Sequence, residues 1–323
     1  AISNVTANSA DVSWLPGSPA QLLYEIQYGP AGFTPGSGTI DLAFGTSYSI
    51  INLAPQTTYD VYLTEICSFT DSSIQIGPYT FTTNCVPAIA PFSETFDGTS
   101  WTPDDAGFSP VNDVFNPCWT PNPTGTAYSW HVRSTPTGSG STGPSSDNSG
   151  SGNYLFVEAS YGSSGDMAEV LSPLIDISAL TTPELVFHYH AYGAQIDSLF
   201  IEVNAGSGWV GLDTLVGAVQ TSSSDPFIPH TVGLAGYSGT IQLRWRARSG
   251  GCCSGDLAID DVTVDNAPAC PNPSFITALN ASANSIDLGW TNGSTGATNW
   301  VIEYGAPGFT LGTGTAASAT TNP

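Results

Sequence analysis

The chain has 323 residues, enough for two or three domains with cores of their own, and only 10% of them are charged. Asp and Glu total 27 against four Arg and no Lys, a net charge of −23, which repels phosphate backbones and anionic lipid and excludes nucleic acid and a membrane surface as expected partners. No apolar run is long enough to span a membrane, and short apolar runs between Gly- and Pro-rich turns predict an all-β chain.

Strands of period two open the sequence: Ala10, Val12 and Trp14, then Tyr24, Ile26 and Tyr28, then 58–66 and 79–83. An inward Trp14 and the corner Leu53-x-Pro55-x-Thr57-x-Tyr59 resemble the fibronectin type III family. The resemblance implies a sandwich over residues 1–84, its first strand missing, with the Tyr59 hydroxyl bonded to nearby backbone. Further strands are expected at 153–159, 184–191, 198–203, 240–247 and 257–264, and the Gly/Ser-rich stretch 135–152 reads as a loop. Phe92-Ser-Glu-Thr-Phe96, Cys118-Trp119, the 147–160 stretch, Leu171-Ser-Pro173, Phe187-x-Tyr189 and Ala258-Ile-Asp-Asp-Val262 follow one another as in MAM domains. That resemblance implies a jelly-roll sandwich over 85–268, of the kind found beside fibronectin type III units in secreted surface proteins of Bacteroidetes. Finally, residues 1–47 align without a gap on 277–323, with 18 of 47 positions identical. The last segment, 269–323, is therefore expected to be the N-terminal part of a second fibronectin type III sandwich, and the Pro-rich stretches 84–91 and 266–273 to be stiff linkers.

Six cysteines without paired CxxC spacing disfavour zinc and favour disulfides in an oxidising compartment. In a fibronectin-like sandwich Cys67 and Cys85 fall at opposite poles and should not pair. Cys67 is expected to pair with a cysteine before Ala1, and Cys270 with one beyond Pro323. Cys85 and Cys118 match the first two cysteines of the MAM pattern, so the resemblance implies their pairing; the adjacent Cys252 and Cys253 remain for a vicinal disulfide.

Glu94, Asp97, Asp147, Asp260 and Asp261 are the candidate ligands of a structural calcium ion, which takes carboxylate and carbonyl oxygens. They would meet if the jelly roll brings its first and last strands together, and alternation lets only one of Asp260 and Asp261 point inward; solvated surface acids are the competing reading. His188 and His190 share a strand face but lack a third ligand. Arg244, Arg246 and Arg248 also share a face, to pair with acids or to grip a carboxylated glycan. Trp101, Trp119, Trp130 and Trp209 either line a saccharide groove or fill the core. Asn4, Asn280 and Asn292 head N-glycosylation sequons, and Ser198 and Thr214 sit in Asp-Ser/Thr-apolar sequences resembling the O-glycosylation signal of Bacteroidetes. No nucleophile elbow, phosphate loop or dinucleotide fingerprint occurs, so no enzyme activity is expected.

These readings converge on an extracellular or cell-surface chain, a structural and adhesive repeat of a filament or large modular adhesin whose partners are further copies of itself. A module binding glycans or surface proteins, and an accessory region of a secreted hydrolase, are the alternatives.

Overall fold

The computed structural model describes residues 1–17, 23–68, 70–107, 112–122, 128–160, 162–269, 273–291, 298–310 and 312–321; Cys270 and Asn292 lie outside them. All regular structure among the described residues is β-strand, and no helix is long and apolar enough to cross a membrane. Ala1–Asp265 form one compact unit and Asn266–Pro323 a second.

The chain begins with β1 (Ile2–Ser3), β2 (Ser9–Ser13), β3 (Leu23–Pro30), β4 (Thr39–Ala43), β5 (Ser47–Ile51), β6 (Thr58–Ser68), β7 (Asp71–Ser72) and β8 (Ile76–Thr82). They make two sheets, β1-β2-β5 and β4-β3-β6 with β7 and β8 both on β6. Alternate residues Ala10, Val12, Ile26, Ile50, Tyr59, Val61 and Phe81 fill the space between. The Tyr59 hydroxyl accepts the Ala54 amide at 2.9 Å, the corner tie that the sequence predicts.

Next come β9 (Ala88–Ile89), β10 (Phe92–Glu94), β11 (Thr120–Asn122), β12 (Trp130–Arg133), β13 (Tyr154–Val157), β14 (Met167–Asp176), β15 (Pro183–Ala191), β16 (Ile196–Asn204), β17 (Trp209–Val216), β18 (Ile228–Gly233), β19 (Thr240–Ser249) and β20 (Leu257–Asn266). One sheet runs β12-β13-β20-β15-β18 with β10 also on β20; the other runs β11-β14-β19-β16-β17 with β9 on β14. Leu155, Val157, Phe187, Ile259, Leu243 and Trp245 belong to the core between them, all at 0% exposure. Truncating Trp245 to Ala would cost about 3–5 kcal/mol. Pro173 has no amide to give the ladder, and the β14–β19 register slips between Leu171 and Leu174. There the Ser172 hydroxyl takes the Leu243 amide at 2.9 Å, which gives the Leu-Ser-Pro motif its structural sense.

Residues 84–91, expected as a stiff linker, are held by main-chain bonds at both ends. Asn84 bonds Thr6 O through its amide, and β9 pairs in parallel with Ile175–Asp176 of β14, because exposed main-chain groups there find a ladder to join.

The second unit carries β21 (Ser274–Leu279), β22 (Asp287–Thr291), β23 (Trp300–Tyr304) and β24 (Thr315–Ala319), as hairpins β21-β22 and β23-β24. The sequence repeat reappears in its contacts. Asn4 donates to Asp11 at 2.8 Å and Asn280 to Asp287 at 3.1 Å; Gly36 N bonds Gln27 and Gly312 N bonds Glu303. Trp14 meets Tyr24 edge-on at 5.1 Å, as Trp290 meets Trp300 at 5.4 Å.

Candidate functional site

Strand β20 changes partner halfway along one edge. Leu257–Ile259 pair with β13, and Val262–Val264 pair with β10. Asp260 and Asp261 sit at the exchange, where the chain leaving β10 and the loop entering β13 must converge. Asp97 comes from the first and Asp147 from the second.

The loop is tied to the exchange point by Asn148, whose amide donates to Asp260 Oδ2 at 2.9 Å and whose side chain donates to Asp261 Oδ2 at 2.7 Å. Asn153 N donates to Asp97 Oδ1 at 2.7 Å, and Asn153 Nδ2 to Phe96 O at 2.9 Å. Ser149 donates to Asp147 Oδ2 at 2.7 Å. Asp147 Oδ1 is buried and has no hydrogen-bond partner. Gly152 stands where any Cβ would fall on Asp97 Oδ1 and come within 2.8 Å of Asp147 Oδ2, so the carboxylates close on a space kept by a missing side chain. Asp260 is 2% exposed; burial, then the charges of Asp261 and Asp147, push its pKa up to about 8. Asp261 is half-buried with a left-handed φ of 47°, and the alternation expected from the sequence slips there: Ile259 and Val262, three residues apart, both belong to the core.

Crowded acids, an orphaned buried oxygen and a side-chain-free cradle fit a hard cation with oxygen ligands. Asp97 and Asp147, whose carboxylates both close on Gly152, would hold it, with Asp260 and Asp261 tied to the same loop through Asn148. Among the described residues no three His, Cys, Asp or Glu side chains converge as a ready-made cage, so main-chain carbonyls and water would supply the remaining ligands. Glu94 is placed otherwise: its Oε1 accepts the Phe96 amide and the Trp101 indole at 2.9 and 3.1 Å, and burial raises its pKa.

The other sequence candidates are distributed as follows. Cys85 and Cys118 are bonded, with Cα atoms 5.7 Å apart, and Cys252 bonds Cys253; Cys67 is free and half-buried. Arg244 pairs with Glu202 and Glu169 at 2.7 and 3.2 Å and stacks 4.3 Å above Trp209; Arg246 shares Glu202. This face satisfies its own charges. Trp101, Trp119 and Trp130 are no groove: they are 4%, 3% and 1% exposed in the core, where an indole removes most apolar area from water. His190 is fully buried beside Phe227. Ser198 is 8% exposed and donates to Asp197, whereas Thr214 is exposed on the edge strand β17.

Sequence reasoning misses one constellation. Ser129 Oγ lies 2.9 Å from His131 Nε2, and His131 Nδ1 lies 3.3 Å from Asp113 Oδ1. The order is that of a hydrolytic triad, but Ser129 is 3% exposed and offers no approach to a substrate. Asp113 also accepts the Val132 amide, so the chain of bonds fastens the 113 region to β12. Only alternation extended one residue ahead of β12, which puts Ser129 and His131 on one face, hinted at it.

Residues 114–271 match the family model of the MAM domain, meprin/A5/mu. The central sandwich is MAM-like. In sequence, this chain is similar to MAM domain-containing glycosylphosphatidylinositol anchor protein 1 of Gallus gallus, 34% identical over 155 residues that cover 46% of the chain and 16% of that protein. The chain thus spans a small fraction of the length of that relative. Among solved structures it is similar to the K1 cleaved adhesin domain of Lys-gingipain from Porphyromonas gingivalis, at 14% identity and a TM-score of 0.36, over 55% of this chain and 98% of that one. The fn3 domain of human contactin 1 overlaps 27% of this chain and 76% of its own, at 17% identity and a TM-score of 0.23.

Proposed function

We propose that the chain is a structural and adhesive repeat of an extracellular cell-surface filament or large modular adhesin, with structural calcium in its MAM-like sandwich. The observation that carries this reading is the gapless repeat of 1–47 at 277–323 on either side of that sandwich. Repetition of paired modules builds length, and the acidic, Lys-free composition suits a calcium-containing exterior better than a nucleic-acid or lipid partner. The partners are further copies of the same module.

Antibody raised against the purified chain, with gold detection on intact producing cells, tests it. Labelled thin filaments at the surface are expected. Label confined to the cytoplasm, or to free globular particles in the medium, overturns the proposal.

A further inference from the structure

The outer face of the β12-β13-β20 sheet is not solvent. Tyr154, Phe156, Ala258 and Phe227 form a second small core there, and the Tyr154 hydroxyl reaches Thr135 O at 2.6 Å, so the stretch from 135 onward lies over the sheet as a roof. Thr137 and Thr142 of that roof are 8% and 2% exposed. Gly143 keeps it down, for a Cβ there would come within 2.5 Å of Thr137 Oγ1 and 3.1 Å of Asp256 Cβ. Thr142 Oγ1 accepts the Asp256 amide at 2.9 Å.

Beneath this roof lie two carboxylates that nothing above uses. Leu155↔Ile259 and Val157↔Leu257 are partners in the β13–β20 register; one step further, Glu158 stands opposite Asp256. Side chains so placed have Cβ atoms about 5 Å apart, where like charges repel. Both residues are 0% exposed. Each gives one oxygen to a main-chain amide, Glu158 Oε1 to Ser160 N at 2.7 Å and Asp256 Oδ1 to Ala159 N at 2.9 Å. The other oxygens, Glu158 Oε2 and Asp256 Oδ2, are buried with no hydrogen-bond partner. Neither acid is among the ion pairs of the described residues. Arg133, on the same sheet, donates instead to the carbonyls of Pro136, Gly107 and Asp105. Burial, then the charge of Glu158, raises the Asp256 pKa against the opposing Ala159 amide, Thr137 side chain and Arg133 charge; two acids so placed with no ion pair are too costly to stand charged without a further partner.

We propose that Glu158 and Asp256 hold a second divalent cation, calcium, under the 135–145 roof. The donors at hand are all hard oxygens: the two free carboxylate oxygens, and Ser139 Oγ, 3.5 Å from Glu158 Oε1 and 2.8 Å from Ser160 Oγ. The Cys252–Cys253 turn packs on the same segment, with Cys252 Sγ 3.1 Å from Ser160 O and Cys253 N bonded to Ala159 O. The site is separate from the one at Asp260, four residues and roughly 13 Å further along β20.

Equilibrium dialysis of calcium against the full chain at neutral pH is the test. About two ions per chain are expected: Asp256→Asn and Glu158→Gln each remove one, and Asp147→Asn removes the other. A single ion that Asp147→Asn abolishes and Asp256→Asn leaves in place overturns the proposal, and means that the pair shares a proton, which an isosteric amide tolerates. Should the variants fail to fold, hydrogen exchange of the unmodified chain decides. Calcium is expected to slow exchange at 139–143 and 254–256; slowing confined to 147–153 overturns the second site while leaving the first intact.

Discussion

At the scale of single residues, buried ionisable groups give this protein its conditional stability. Burial lowers the His190 pKa to about 4, against an ordinary value near 6.5. Its contribution is therefore complete above about pH 6.5 and is lost as pH falls toward 4, by up to about 3 kcal/mol. His190→Leu is expected to flatten urea-unfolding stability between pH 7 and pH 4.5 relative to the parent chain. Arg244 works differently: it neutralises Glu202, which is 8% exposed, and Glu169 together. Arg244→Met should cost about 3 kcal/mol in the same assay, and adding Glu169→Gln should recover part of the loss, since Glu202 keeps Arg246 whereas Glu169 loses its ion pair among the described residues. The Arg244–Arg246–Arg248 face was legible in the sequence because alternation alone defines it. Glu158 and Asp256 were not, because alternation puts Tyr154, Phe156 and Glu158 on one face without revealing that a Gly/Ser-rich loop returns to roof it.

At the scale of elements, strands with clean alternation or unbroken apolar runs were foreseeable: 184–191 against β15 (Pro183–Ala191) and 240–247 against β19 (Thr240–Ser249). β17 and β18 were not, since Gly211 and Pro229 interrupt their pattern and partner strands override local propensity. The acids of the β20 exchange point could be named from sequence on the premise that first and last strands meet, and β10 does pair with β20. What sequence could not supply was the diversion of Glu94 to Trp101, which depends on where an indole packs. The Cys85–Cys118 bridge closes a separation of 33 residues, worth about 3–4 kcal/mol in the chain-entropy account. Cys85→Ala with Cys118→Ala should lower unfolding free energy by roughly that amount in denaturant titration.

At the scale of the whole molecule, a net charge of −23 sets acids against one another, and calcium should relieve this where it is densest. Calorimetry is expected to show a calcium-dependent rise in Tm, about 2.7 kcal/mol of stabilisation at a hundredfold excess over Kd, with the rise reduced in Asp147→Asn. As the proposed repeat of a surface filament the chain would carry tension, and the disulfide would decide its route. Force arriving from residue 84 crosses the sulfur bridge from Cys85 to Cys118, so β9 and β10 lie on a slack side loop. β10 and β20 are antiparallel, with Phe92 opposite Val264, an arrangement that would otherwise peel open one bond at a time from that end. With the bridge intact, β10 stays seated beside the acid cluster while the rest of the sandwich bears the pull; reduction should lengthen the single-molecule unfolding step and lower its force.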